Sequence, residues 1–186
     1  MAAVPRCAHD RHGMPEIFSR CRVVLLSTAM NRVGLGIDVH QFAPNRMCII
    51  GGVHIPHPVG LLGHSDADVL AHAIADALLG AVALGDIGKF YPDTDKKWKD
   101  LDSMRILSDV AEKYRQLKAT INNIDAAVIA EAPRLSPHIP QMQKIMAGHL
   151  GVRPDQIGIK ATTSELMGFT GSKEGIVALA MVSVEI

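Results

Sequence analysis

The chain has 186 residues, 48% of them apolar, and its 19 basic and 19 acidic side chains cancel to a formal net charge of zero. That balance excludes a nucleic-acid or membrane-surface footprint, because no surplus of cations is left to neutralise phosphates. No apolar run approaches the roughly 20 residues needed to cross a bilayer. Cys7, Cys21 and Cys48 are odd in number and lack metal or redox spacing, which points to a reducing compartment.

Residues 1–29 are irregular, with arginines at positions 6, 11, 20 and 22 and one short apolar run, VVLLSTAM. They read as an extension ahead of Met30: a transit segment, a tag-like addition or an upstream start. Cytoplasmic location follows for a bacterial protein, and a plastid for one whose extension is a transit segment. Residues 30–186 have the size of one folded domain.

The alternation in RVGLGIDVH (32–40) predicts a strand, and MCIIGGVHIP (47–56) predicts a second one bent at Gly51-Gly52, or a hairpin. Ser65 is the expected N-cap of a helix running to about Gly85, with Asp66 and Asp68 in its first turn, where the macrodipole favours negative charge. GDIGKFYPDTDKKWKD (85–100) is rich in turn formers and predicts an exposed loop. A helix over 101–117, capped by Asp102 or Ser103, is followed by a strand over 120–133 and a helix over 137–150 with Gly151 beyond it. Strands over 156–163 and 175–186 complete the chain. The expected architecture is α+β: a single domain with a mixed, mainly four-stranded sheet covered by helices on one face.

Several polar residues are out of place in such a core. Asp38 and His40 are two apart in a strand and so share one face. That pairing suits a metal, and equally a carboxylate orienting a surface histidine. His72 lies one helical turn from both Asp68 and Asp76. As a metal ligand its second ring nitrogen would donate to one of those carboxylates; otherwise it is a satisfied core histidine. Two histidines and one aspartate with an open fourth position describe a catalytic zinc site. His64 and Ser65 precede the expected helix, where free N–H groups attract anions, although Ser65 also suits simple capping. Thr162, Thr163 and Ser164 with Glu165 suit phosphate beside an oxygen-ligated cation, or a cap. Asp86, Asp93 and Asp95 lie on the exposed loop.

GIDVH, GGVHIP, GLLGHSDADVLAHAIADALLGAVALGDIGKFYPDTD, PHIPQM and KATTSELMGFTG occur in this order. With that set the chain, from Arg32 to Ile186, resembles the 2-C-methyl-D-erythritol 2,4-cyclodiphosphate synthase family of the non-mevalonate isoprenoid pathway. The resemblance implies that Asp38, His40 and His72 bind Zn2+, and that Glu165 helps hold Mg2+ or Mn2+. It makes His64 and Thr163 the residues that stabilise the transition state, with Ser65 on the substrate's 2-phosphate. Asp86, Ile87, Gly88, Tyr91, Pro92, Asp93, Thr94 and Asp95 would meet the erythritol moiety, and Phe169 a further part of the substrate. The cytidine pocket would be formed by Ala130, Glu131, Ala132, Pro133, Arg134, Leu135 and Ser136 with Ala161, Thr162 and Thr163.

The implied reaction is attack of the 2-phosphate of 4-diphosphocytidyl-2-C-methyl-D-erythritol 2-phosphate on its own β-phosphorus, releasing CMP and closing a cyclic diphosphate. The implied assembly is a homotrimer with active sites between subunits; neither nucleic acid nor membrane is a partner. A zinc hydrolase would use the same three ligands but leaves ATTSE and GDIGKFYPDTD without a task. A binding module with structural zinc would want four protein ligands. One position departs from the family: many relatives carry Arg after GFTG, and this chain has Ser172 followed by Lys173. In an extended segment that lysine would project to the opposite face from the serine.

Overall fold

The structure is a computed structural model that describes residues 29–186. All of the expected extension except Ala29 lies outside the described residues, as do Cys7 and Cys21. Strand β1 (Asn31–Ala43) is followed by a hairpin of β2 (Ile49–Ile50) and β3 (Val53–His54), then β4 (Gly60–Leu61) and helix α1 (Val69–Ala81). Next come α2 (Ile87–Phe90), α3 (Ser103–Leu117), β5 (Thr120–Ile129), α4 (Ile139–Leu150), β6 (Ile157–Thr162), α5 (Gly168–Gly171) and β7 (Gly175–Glu185). The main sheet has the order β4-β1-β7-β5-β6. β7 is antiparallel to both its neighbours, and β6 is parallel to β5, so the sheet is mixed as expected. The two residues of β4 on the edge of β1 make it five-stranded rather than four.

The core lies between this sheet and α1, α3 and α4, with Leu70, Ile74, Leu78, Leu107, Met142 and Met146 fully enclosed. Gly34 and Gly36 explain how closely α1 sits on β1. A Cβ at either would overlap the carbonyl oxygen of Ala77 or Ala73, so only glycine allows helix and strand backbones to meet. Because side chains alternate along a strand, Asp38 and His40 share the face of Gly34 and Gly36 and look toward α1. The other face of β1 is apolar and open: Val33, Leu35, Ile37 and Val39 are each at least half exposed, as is Met181 on β7.

Two expectations are corrected here. The first long helix begins four residues later than Ser65 and ends at Ala81, because Asp68 and not Ser65 is its N-cap, accepting from Ala71 N–H. Ala67 has φ 58°, a left-handed turn that separates the HSD segment from the helix. The segment around Ser172 is not extended either. Ser172 closes α5 as its C-cap, and Lys173 has φ 62°, so strand alternation says nothing about where that lysine points. Asp102, Gly151 and the Gly51-Gly52 hairpin stand where expected.

Candidate metal and nucleotide site

Asp38 and His40 come from the helix-facing side of β1, and His72 from the first turn of α1. Their ligand atoms form a small triangle: His40 Nε2 to Asp38 Oδ2 is 3.0 Å, His72 Nδ1 to the same oxygen 3.1 Å, and the two nitrogens are 3.3 Å apart. Ligands at about 2.0–2.1 Å around a tetrahedral ion are separated by roughly 3.3 Å, so the triangle has the dimensions of one face of such a site. The three side chains form a group able to hold a metal ion. The donor chemistry agrees. His40 Nδ1 is 2.7 Å from the Leu62 carbonyl, which can only accept; the proton therefore sits on Nδ1 and the Nε2 lone pair faces the triangle.

Electrostatics reinforces the arrangement. Burial alone would raise the Asp38 carboxyl, but hydrogen bonds and charge from His40 and His72 outweigh it and hold the group well below the usual carboxylate range. For His40 burial opposes protonation, yet Asp38 wins and its value is raised.

Neither carboxylate expected to orient His72 does so. Asp68 is fully buried and accepts from the backbone N–H groups of Gly51 (2.8 Å), Gly52 (2.7 Å) and Ala71 (3.1 Å). Burial raises its carboxyl to about 6 despite those three donors. Asp76 accepts from Ile87 N–H at 2.7 Å and so fixes the start of α2. The second nitrogen of His72 faces Ser103 Oγ instead, at 2.8 Å. Asp68 fills the end of α1 and Ser65 Oγ accepts from Ala67 N–H, so His64 and Ser65 stand on the turn ahead of the helix rather than at its first N–H groups.

A cavity of about 490 Å³ opens on the triangle. His64, Ser65, Ile87, Gly88, Tyr91, Pro92 and Asp93 line it with the three candidate ligands. Asp86 caps α2 by accepting from Lys89 N–H, and Asp95 caps a short 3-10 turn; neither lines the cavity, nor does Thr94. Trp98, Leu101 and Ile106 line it without having been singled out in the sequence. Arg46 was also passed over. It donates to the carbonyls of Leu61 and Ser65 and pairs with Asp100, clamping the loop that carries His64.

The remaining expected residues gather elsewhere. Ala130, Glu131, Pro133, Arg134, Leu135 and Ser136 form a second cavity of about 380 Å³ with Ala161, Thr162 and Thr163. Ala132 leads into a cis bond at Pro133. Glu131 Oε1 accepts from Ser164 N–H, Ser164 Oγ and Leu166 N–H, and these donors, Leu166 first, hold its carboxyl below the ordinary value although desolvation pushes the other way. Thr163 Oγ1 donates to Glu165 Oε1 at 2.6 Å, and Phe169 is exposed on α5. The two cavities share no lining residue. They open at the same end of the sheet, where β1 and β5 finish on either side of the start of β7.

Comparison with known proteins accounts for this pattern. The YgbB family model matches residues 31–185. The 2-C-methyl-D-erythritol 2,4-cyclodiphosphate synthase of Alkaliphilus metalliredigens is 55% identical over 153 residues, 82% of this chain and 96% of that protein. Among solved structures, the bifunctional IspDF of Campylobacter jejuni superposes with a TM-score of 0.82 at 43% identity. That match covers 85% of this chain but only 43% of that longer one. A CDP complex of IspF from Plasmodium falciparum superposes with a TM-score of 0.73 at 30% identity, covering 83% of this chain and 95% of that one. No helix among the described residues is long and apolar enough to cross a membrane. The chain belongs to the YgbB family.

Proposed function

We propose that this chain is a 2-C-methyl-D-erythritol 2,4-cyclodiphosphate synthase, converting 4-diphosphocytidyl-2-C-methyl-D-erythritol 2-phosphate into the cyclic diphosphate and CMP. The observation that carries the reading is the Asp38–His40–His72 triangle at the floor of a cavity lined by His64 and Ser65, in a chain more than half identical to proteins of that name. The nucleophile is a phosphate oxygen that is already largely ionised at neutral pH, so no side chain has to act as its base. The difficulty lies in bringing two polyanions together and in stabilising charge on the departing CMP, a task of positioning and electrostatics.

Asp38 Oδ2, His40 Nε2 and His72 Nδ1 would hold Zn2+, which when bound would supply positive charge to the phosphates. His64 and Ser65 orient the 2-phosphate from the cavity wall. Ile87, Gly88 and Tyr91 to Asp93 enclose the erythritol. Glu165, with Thr163 donating to it, would hold Mg2+ or Mn2+ against the diphosphate; a carboxylate suits such a hard cation. Ala130 to Ser136 with Ala161 to Thr163 would seat the cytidine, a role supported by the CDP complex of the Plasmodium falciparum relative.

The apolar outer face of β1, with Val33, Leu35, Ile37 and Val39, supports the homotrimer: contiguous exposed apolar strand surface is characteristic of an interface. Assembly on that face would set one chain's metal cavity beside a neighbour's nucleotide cavity. Incubation with the cytidine substrate tests the function. Equimolar CMP and cyclic diphosphate are expected, and linear hydrolysis products would contradict it.

A further inference from the structure

We propose that Ser103 and Asp66 are positioning residues for His72, forming a one-way hydrogen-bond relay that keeps the imidazole proton on Nε2 and turns the Nδ1 lone pair toward Asp38 and His40. The inference rests on the reading of Asp38, His40 and His72 as a zinc site and adds how one of those ligands is prepared.

A ring nitrogen can bind metal only if the imidazole proton sits on the other one. His40 meets this requirement simply, through the Leu62 carbonyl. His72 faces a hydroxyl, and a hydroxyl can either donate or accept. Ser103 alone would therefore leave the tautomer open. Its surroundings decide the matter. Ser103 is fully buried, and its Oγ donates to Asp66 Oδ1. Asp66 Oδ2 accepts from the backbone N–H of the same residue at 3.0 Å. Both carboxylate oxygens thus point at Ser103 donors, and the single hydroxyl proton is committed to Asp66. The lone pairs of Ser103 Oγ then face His72 Nε2 at 2.8 Å, and only an Nε2–H satisfies them. The opposite orientation would set two lone pairs against each other between Ser103 Oγ and Asp66 Oδ1. Ser65 Oγ, at 3.3 Å from the same nitrogen, is too far away to set the direction by itself.

The relay also ties the ligand to a distant element. Ser103 is the first residue of α3, and Asp66 lies in the turn before α1. Those two segments are joined by Asp66 N–H to the Leu101 carbonyl at 3.1 Å and Asp100 N–H to the His64 carbonyl at 2.8 Å. Seating of α3 on this turn therefore sets the aim of His72.

The test uses the full chain and reads zinc affinity by chelator competition. Ser103→Ala removes the acceptor, and a loss within the roughly 10- to 100-fold range of outer metal-site partners is expected. Asp66→Asn is the sharper variant because it keeps side-chain volume. Its amide oxygen can accept from Ser103 N–H, but its NH2 then donates to Ser103 Oγ, so the hydroxyl proton loses its carboxylate acceptor and is free to turn toward His72 Nε2. That moves the imidazole proton onto the ligand atom, and Asp66→Asn should weaken zinc more than Ser103→Ala does. In the zinc-loaded native protein, 15N-labelled histidine should show a His72 Nε2–H that exchanges slowly with solvent, and Ser103→Ala should lose that protection. Zinc affinities within twofold of native in both variants, or a lowered metal-free unfolding temperature with affinity unchanged, would overturn the relay. Native zinc binding that Asp38→Ala abolishes but both relay variants retain would overturn the relay alone. A native chain whose zinc binding is indifferent to Asp38→Ala would overturn the metal reading beneath it.

Discussion

The two halves of the candidate site differ in how much of each a single chain completes. Around Asp38, His40 and His72 both ring nitrogens of each histidine have partners, His72 is only 6% exposed, and the ligand atoms already stand at metal-site spacing. Around Ala130–Ser136 and Ala161–Glu165 the polar groups are spent on one another, Glu131 on the 164–166 turn and Thr163 on Glu165, while Ala161, Thr162, Thr163 and Glu165 lie exposed. The contrast is physical. A metal demands fixed donor distances, and these are best set by strand and helix backbones locked together, as Gly34 and Gly36 lock β1 to α1. A nucleotide needs a broad wall, which a loop edge provides and a neighbouring chain can close.

The largest expected effect falls on the complete half. Replacing His72 by Ala removes one of three protein ligands. With about 10–16 kcal/mol of binding energy in a complete zinc site, zinc affinity should drop by ~100-fold or more, and turnover with it. Equilibrium dialysis and the cyclisation assay check both. Next is Leu35→Lys, which places charge at the centre of the open β1 face. Burying an unpaired charge costs several kcal/mol, so the proposed trimer should dissociate in analytical ultracentrifugation and turnover should collapse, while each chain keeps its zinc. Zinc and turnover lost together would erase the contrast between the halves.

Asp68→Ala probes the scaffold. Three N–H groups lose their acceptor, those of Gly51 and Ala71 buried and that of Gly52 partly so, at about 1–3 kcal/mol for an unsatisfied buried group, and the unfolding midpoint in urea should fall accordingly. Glu165→Gln should reduce turnover roughly 10-fold at limiting Mg2+ and leave zinc content normal, since a hard cation depends on the lost charge far more than nitrogen-bound zinc does.

The smallest effect is a pH slope. His40 is raised above its ordinary 6.5 by Asp38, against burial. Its contribution to folding of the metal-free protein is therefore complete below 6.5 and is lost as pH rises through the folded value. With zinc bound the slope reverses, because protons then compete with the metal. Thermal unfolding across pH 6 to 9, with and without chelator, reads the sign.

The parts of this site that depend on local periodicity were legible in the sequence. Alternation in DVH puts Asp38 and His40 on one face, and Asp102 and Gly151 announce the ends of their helices. What depended on tertiary contact was not legible. Ser65 and Asp68 are both good caps by composition, and only the hairpin N–H groups of Gly51 and Gly52 explain why Asp68 is the one inside. Helical spacing points to Asp68 or Asp76 as the partner of His72, but the partner arrives from Ser103, on another helix. Arg46 and Trp98 carry no motif at all. The chain turns at Lys173 through a left-handed residue that is neither glycine nor asparagine, so the alternation an extended segment would impose does not apply there.

The most direct measurement is a crystal structure of the zinc-loaded protein with a cytidine diphosphate, with anomalous data collected at the zinc edge. One zinc per chain is expected at about 2.0–2.1 Å from His40 Nε2 and His72 Nδ1, with Asp38 as third ligand. The cytosine is expected in the Ala130–Ser136 cavity of a neighbouring chain. Zinc at any other set of residues, or a nucleotide whose base and phosphates are both held by one chain, would contradict this arrangement.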